Sequence, residues 1–339
     1  MKRRLLSNAR DQKGEMMGLN LKSFRLLYRI FVMLFITITA STGFIFWRIF
    51  SNYQDNIQSN MGLESAFILL FLLTLLSVVF FYQHTKSSII PEYRLKKAIK
   101  NKQFIPYIQP IICSKNNKII GCEILVRWQH PVHGLLTPNK FIAQIEKSDL
   151  IIPLTHNLIR QVQEYFAPIA HQLPEHFHFN FNISARHYKD DSLVDDCHNF
   201  IKAFPEDSIR LILEITEREL LEPDEYIISL FNKLDELGVL IALDDFGTGY
   251  SNHNYLQKFN VDLVKIGHNF VSKMNTDIIS KHIVENIIDL ALRLHLEIVA
   301  EGIENQKQVN QLKNYSVDYL QGYYFNHPIS LDEFVKKWL

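Results

Sequence analysis

Eight short apolar runs, rich in β-branched and aromatic residues, recur in the C-terminal 248 residues (92–339) and limit the possible folds. The runs are 104–112, 118–127, 177–183, 210–215, 239–244, 261–266, 296–300 and 317–321. Amphipathic stretches typical of helices separate most of them, for example 226–237 and 278–294. Strands that alternate with helices over this length predict an α/β fold, a TIM-like (β/α)8 barrel.

The first two runs depart from this alternation. Only the polar segment Ser114–Lys118 joins them, and it is too short to contain a crossover helix. We therefore expect the two runs to pair antiparallel, so that the barrel contains one antiparallel strand.

Polar residues end or directly follow six successive runs. They are Asn182, Glu214, the pair Asp244 and Asp245, Lys265, Glu301 and Gln321. One such residue is what an ordinary turn supplies, but six in succession indicate a common site. Active sites of these barrels lie at the C-terminal ends of the strands, so we expect the six positions to converge there.

The residue types in this set predict a particular class of metal. Candidate ligands are the oxygen-bearing side chains Glu123, Asn182, Glu214, Asp244 and Asp245. The three cysteines form no CxxC pair, so a zinc site is not indicated. Oxygen ligands suit Mg²⁺ or Mn²⁺, and pairs of such ions commonly serve phosphate chemistry. The residues alone therefore predict a barrel hydrolase that acts on a phosphoester, without naming its substrate.

The charge balance of the chain argues against a nucleic-acid partner. Lys and Arg together number 36, as do Asp and Glu, so the chain lacks the basic excess typical of proteins that bind DNA or RNA polymers.

Two apolar runs without charge, 31–47 and 65–82, precede the barrel region, and each is about as long as the shortest membrane-spanning helix. Residues 1–29 carry eight basic and two acidic side chains. Residues 48–64, between the runs, carry one basic and two acidic side chains, and residues 83–102 carry six basic and one acidic. One run by itself could be a buried core helix, but two in tandem favour a transmembrane hairpin. The basic flanks predict that both ends face the cytoplasm.

The resulting domain prediction has three parts. A basic cytoplasmic segment covers residues 1–29, and two transmembrane helices at about 30–47 and 65–82 lie within 30–83 and are joined by a short periplasmic loop. The barrel domain covers residues 92–339.

The segment Glu123–Trp128 resembles the motif Glu-Ala-Leu-Leu-Arg-Trp from which the EAL domain family takes its name. Further matches, in the family's order and spacing, are Tyr107–Ile111, Gln129–Pro131, Gly134–Pro138, Phe181–Ser184, Leu213–Glu217, Asp244–Ser251, Val264–Ile266, Ala300–Glu304 and Gln321–Phe325. Each match is weak by itself, but the ordered series is highly specific.

The resemblance implies hydrolysis of cyclic di-GMP to linear pGpG with two divalent cations. Together with the predicted transmembrane hairpin, it predicts an enzyme of the bacterial inner membrane. By position, Glu123, Asn182, Glu214 and Asp244 would hold the first cation, and Asp244 and Asp245 the second. Lys265 and Glu301 would orient and activate the attacking water. Gln109, Arg127 and Gln321 would contact the substrate, and Glu217 would anchor the Gly-Thr-Gly loop that begins at Gly247. We expect Glu304 to form an ordinary ion pair, and the resemblance leaves a homodimer open.

Three departures from the family pattern bear on activity. Ile124 replaces an alanine, Asn252 and His253 replace the usual Ser-Leu, and Gly267 stands where the family has an aspartate. The loss of that acid predicts a slow enzyme that Gly267→Asp should accelerate. The alternative hypothesis is a weakly active or inactive EAL domain that acts as a cyclic di-GMP receptor or a protein-interaction module. The retained candidate ligands favour the enzyme.

Overall fold

The computed structural model describes residues 90–216, 224–247 and 259–339, together with positions 43, 72 and 74–76. The chain divides into two units, residues 1–86 and 87–339. Almost all of the two predicted transmembrane segments lies outside the described residues. Within the described residues, no helix is both long enough and apolar enough to cross a membrane.

Ten strands form one sheet in the second unit. They are β1 (Phe104–Cys113), β2 (Ile119–His130), β3 (Gly134–Leu136), β4 (Phe177–Ile183), β5 (Ile209–Thr216), β6 (Leu240–Phe246), β7 (Leu263–Ile266), β8 (Glu297–Ala300), β9 (Tyr319–Leu320) and β10 (Ile329–Ser330). Their order is β10-β1-β9-β8-β7-β6-β5-β4-β2-β3, and a further pairing between β1 and β2 closes a barrel of eight strands.

Nine α-helices accompany the strands in the described part of the second unit. They are α1 (Glu92–Lys100), α2 (Ile142–Glu146), α3 (Ile151–Phe166), α4 (Ser192–Lys202), α5 (Glu225–Glu236), α6 (His268–Val271), α7 (Ile278–Arg293), α8 (Gln306–Asn314) and α9 (Leu331–Trp338). Short 3₁₀ helices occupy Pro138–Lys140, Ala167–Gln172 and His187–Lys189.

The predicted barrel is confirmed, including its irregular strand. β1 pairs antiparallel with both β2 and β9, whereas β2, β4, β5, β6, β7, β8 and β9 run parallel. The register of β1 and β2 places Gln109 opposite Glu123. Because β1 is reversed, two predicted site residues from neighbouring strands face each other directly at the barrel end.

Alternation along β4 separates the two sides of the barrel wall. Phe177, Phe179 and Phe181 pack outward into the core shared with the surrounding helices. The intervening side chains point into the barrel, where Asn180 contacts Glu214 and Asn182 contacts Glu123. This is the separation that the pattern of the run predicts.

The barrel interior is built in layers. At the N-terminal end, Arg210 forms an ion pair with Glu297 and contacts His178. The middle layer is a small apolar cluster of Ile212, Ala242, Leu263 and Val299. Asn182, Glu214 and Lys265 lie farther toward the C-terminal ends of the strands, so the apolar layer separates them from the polar groups at the other end.

Candidate active site

Lys265 is the centre of the site. Its side chain is 0% exposed, and its Nζ lies 2.6 Å from Glu301 Oε1 and 2.7 Å from Glu214 Oε1. The same nitrogen lies 3.5 Å from Glu123 Oε2 and 3.9 Å from Asp244 Oδ1. Four carboxylates from different strand ends thus surround one buried ammonium group.

The ionisation of this cluster reflects its burial. Desolvation and the neighbouring carboxylates raise the pKa of Glu214 well above its usual value. Desolvation likewise raises the pKa of Asp244, and it raises that of Glu301 to about 8. Burial also acts to raise the pKa of Glu123, but Lys265 and hydrogen bonds from Asn182 and Gln321 outweigh it and lower this pKa. Desolvation opposes the charge on Lys265, yet the four carboxylates raise its pKa well above normal.

Amide side chains fix Glu123 from two sides. Asn182 Nδ2 donates to Glu123 Oε1 at 2.8 Å, and Gln321 Nε2 donates to Glu123 Oε2 at 2.8 Å. Gln321 Nε2 also lies 3.2 Å from Gln109 Oε1, and Gln109 Nε2 donates to the carbonyl of Asn326. The structure therefore brings the predicted ligands Glu123 and Asn182 together with the predicted substrate residues Gln109 and Gln321.

The chain turns sharply at Asp244 and Asp245. Asp245 adopts a φ of +53°, and its backbone N–H donates to Asp244 Oδ1 at 2.8 Å. This left-handed conformation allows two adjacent acidic residues to serve one region, as the turn sequence predicts. Glu217 and residues 248–251 of the predicted loop lie outside the described residues.

Arg127 lies on the same strand as Glu123 but does not join the Lys265 cluster. Its guanidinium lies 5.5 Å from the centre of the Tyr107 ring, and its Nη1 donates to the carbonyl of Val126. Burial lowers the pKa of Arg127.

A cavity of about 250 Å³ opens beside the cluster. Four predicted site residues line it: Gln109, Glu123, Glu301 and Gln321. His268, Glu304 and Tyr323 also line it, although the sequence analysis assigned none of them to the site. The ion pair expected for Glu304 stays a prediction: its backbone N–H donates to Gln308 Oε1, and the residue lines the cavity.

Asn180 is a further residue that the sequence analysis missed. It is 1% exposed and donates from Nδ2 to Glu214 Oε1 at 2.8 Å. The signal was present, because Asn180 and Asn182 are two residues apart on one strand and so share a face.

The fit to divalent cations rests on charge and ligand type. In the part of the chain that the structure describes, no group of three or more His, Cys, Asp or Glu side chains has the arrangement of a formed metal site. The carboxylates converge instead on Lys265. Were all four ionised, the cluster would still carry a net charge of −3, from four carboxylates and one ammonium. Glu214 Oε2 is buried without a hydrogen-bond partner. This excess of buried negative oxygen fits hard divalent cations.

Comparison with known proteins gives a consistent picture. The EAL domain family matches residues 92–328. The cyclic di-GMP phosphodiesterase PdeL of Escherichia coli K12 is 36% identical over 90% of this chain and 82% of its own length. The probable cyclic di-GMP phosphodiesterase PdeG of the same strain is 41% identical over 79% of this chain. This chain spans 54% of PdeG, about half of that relative's length.

Solved structures show the same fold. A phosphodiesterase, PaMucR, in complex with c-di-GMP is 30% identical, with a TM-score of 0.65 over 71% of this chain and 98% of that chain. An EAL domain protein from Listeria monocytogenes EGD-e is also 30% identical, with a TM-score of 0.62 over 74% of this chain and 98% of that chain.

Proposed function

This chain belongs to the EAL domain family, and we propose that it is a phosphodiesterase that hydrolyses cyclic di-GMP to linear pGpG with the help of divalent cations. The observation that carries the proposal is the buried cluster in which Glu123, Glu214, Asp244 and Glu301 surround Lys265. The homologous enzymes and the c-di-GMP complex of a related structure support the choice of substrate.

The metal site would be formed by oxygen ligands. Glu123, Asn182, Glu214, Asp244 and Asp245 would hold Mg²⁺ or Mn²⁺. When bound there, the cations would supply Lewis-acid stabilisation of the negative charge that develops during phosphodiester hydrolysis. The convergence of these oxygen-bearing side chains at one end of the barrel supports this assignment.

Lys265 and Glu301 are suited to orienting and deprotonating the attacking water. Their polar atoms lie 2.6 Å apart, so the ammonium holds the Glu301 carboxylate in place. Glu301 can then accept a proton from water as the water oxygen bonds to phosphorus. The bond from phosphorus to the 3′ oxygen breaks, that oxygen takes up a proton, and the product keeps a 5′ phosphate.

The substrate would occupy the adjacent cavity. Gln109 and Gln321 line it and present amide groups that can hydrogen-bond a nucleotide. Arg127 carries a planar set of donors that suits a phosphate.

Incubation of the full-length chain with cyclic di-GMP and Mg²⁺ or Mn²⁺, followed by chromatography, tests the activity. We expect pGpG as the first product and no turnover after chelation. Glu123→Gln and Asp244→Asn should each abolish turnover, because each removes a charge from the cluster, whereas exposed Glu164→Gln should behave as wild type. Activity that survives exhaustive chelation would refute metal dependence.

The alternative function is that of a receptor, and Gly267 favours it because an acid of the family is absent there. Binding of cyclic di-GMP by wild type without hydrolysis, with metal present, would support the receptor over the enzyme.

The membrane location is a separate part of the proposal. We propose that residues 30–47 and 65–82 span the inner membrane and keep the barrel in the cytoplasm, because basic residues flank the pair on both outer sides. A reporter fused after Leu339 should be active in the cytoplasm, and one inserted near Asn56 should report the periplasm. The reverse pattern would contradict the proposed orientation.

A further inference from the structure

Asn180 is a polar side chain in an otherwise apolar part of the barrel. It lies beside Ile212 in the register of β4 and β5, and Ile212 packs with Ala242 and Leu263 in the middle layer. Its exposure is 1%. Burying an amide in apolar surroundings costs free energy unless its hydrogen bonds compensate. The contacts that Asn180 makes therefore indicate its role.

Its one side-chain hydrogen bond among the described residues goes to a predicted metal ligand. Asn180 Nδ2 donates to Glu214 Oε1 at 2.8 Å, while Asn180 Oδ1 has no partner among the described residues. If the amide had only a packing role in the barrel interior, both of its polar atoms would be expected to have hydrogen-bond partners.

A hydrogen bond and an ion pair meet at the same oxygen of Glu214. Lys265 Nζ lies 2.7 Å from Glu214 Oε1, the atom that also accepts from Asn180. The other oxygen, Oε2, is buried and has no hydrogen-bond partner in the described part of the chain. Because the hydrogen bond and the ion pair both engage Oε1, they fix the rotation of the carboxylate and leave Oε2 as the acceptor without a partner in the described part of the chain.

We propose that Asn180 is a positioning residue for the metal site, which holds Glu214 so that Oε2 is the atom presented to the divalent cation. This inference rests on the proposed metal-dependent function. Partners that orient a ligand in this way typically change metal affinity by about 10- to 100-fold when they are removed.

The test is a Mn²⁺ titration of the full-length protein followed by EPR. In Asn180→Leu, which keeps the branched shape of the side chain but removes the donor, we expect the Kd for Mn²⁺ to rise by about 10- to 100-fold. The EPR spectrum of the bound Mn²⁺ should also change, because the Glu214 carboxylate can rotate. Gln161→Leu is the matched control, since Gln161 donates to the carbonyls of Phe104 and Asn157 rather than to a carboxylate.

The outcomes separate the inference from the proposed function. A purely structural role would lower the Tm of Asn180→Leu but leave the Kd and the spectrum of bound Mn²⁺ unchanged, and this result would overturn the inference. If Asn180→Leu does not fold, Asn180→Ala removes the same donor without added bulk, and the same readings apply. Cyclic di-GMP turnover is measured on the same samples. Wild type that binds Mn²⁺ without turnover would contradict the enzymatic function alone, whereas wild type that binds no Mn²⁺ would overturn both.

Discussion

At the scale of single residues, Gly267 and Asp245 share one small space. A Cβ added to Gly267 would lie 2.5 Å from Asp245 Oδ1, although it would lie 3.5 Å from the Asp245 Cα. Only the end of a side chain would have to move, so the cost to folding is small. The departure of Gly267 from the family pattern is therefore linked to the position of a predicted ligand of the second cation.

We expect Gly267→Ala to fold with a Tm close to that of wild type but to hydrolyse cyclic di-GMP about 100-fold more slowly. The reason is that the new methyl group displaces the Asp245 carboxylate, and displacements of about 1 Å can have effects of this size. Steady-state turnover at saturating Mn²⁺ measures the change.

Gly267→Asp provides the comparison. It displaces Asp245 in the same way but adds a carboxylate, so a rate above that of Gly267→Ala would show that the acid itself contributes. Wild-type turnover in Gly267→Ala would show that Asp245 does not need its present position. The sequence-based expectation that Gly267→Asp exceeds wild type stays a prediction, and the same measurements test it.

At the scale of secondary-structure elements, Gln308 links α6, which follows Lys265, to the segment that follows Glu301. Its Oε1 accepts from the backbone N–H groups of Glu304 and Asn305, and its Nε2 donates to the carbonyl of Val271. The side chain is 1% exposed and lies in the first turn of α8. One amide therefore connects the end of α6 to the segment between β8 and α8.

We expect Gln308→Glu to lower the free energy of unfolding by about 1–3 kcal/mol, because a carboxylate of the same size cannot donate to the Val271 carbonyl and leaves it unsatisfied. Urea denaturation measures this loss. Gln311→Glu is the control, as it makes the same change on α8 at a side chain whose partner among the described residues is Tyr315. Equal stabilities of the two variants would show that the connection to α6 contributes little.

At the scale of the whole molecule, the N-terminal end of the barrel contains a buried histidine. His178 is 2% exposed and its Nε2 lies 3.3 Å from Arg210 Nη1. Desolvation, together with the charge of Arg210, lowers the pKa of His178 to about 3. In the unfolded chain a histidine titrates near pH ~6.5. Between these two values the unfolded state binds more protons, so the contribution of His178 to stability is lost as the pH falls.

We expect wild type to lose about 2–3 kcal/mol more stability than His178→Gln between pH 7 and pH 4.5. The unfolded chain takes up the extra proton below pH ~6.5, and the two pH units from there to pH 4.5 correspond to about 2.7 kcal/mol. Urea denaturation at the two pH values measures the difference. His198→Gln, at an exposed position on α4, should follow the wild-type curve. Parallel losses in wild type and His178→Gln would show that His178 does not control the acid stability of the barrel.

The barrel and the positions of its polar strand ends could be predicted from the amino-acid sequence, because both depend on local periodicity. Side chains alternate along a strand, so the pattern of 177–183 already separates outward Phe179 from inward Asn182. The short link after Cys113 likewise required an antiparallel strand. The eight predicted runs match the closed barrel within a few residues at each end.

The contacts between polar groups could not be predicted in this way, because they depend on how the chain folds in three dimensions. Lys265 binds Glu214, and Asn180 donates to the same carboxylate from a position 34 residues earlier in the chain. The contact of Gln308 with Val271 spans 37 residues. Lys265, Glu214 and Asn180 come together when the strands close into a barrel. The register of each strand with its neighbours sets the height of these side chains above the apolar layer. Local patterns placed the acids at one end of the barrel, whereas closure of the sheet placed Lys265 at their centre.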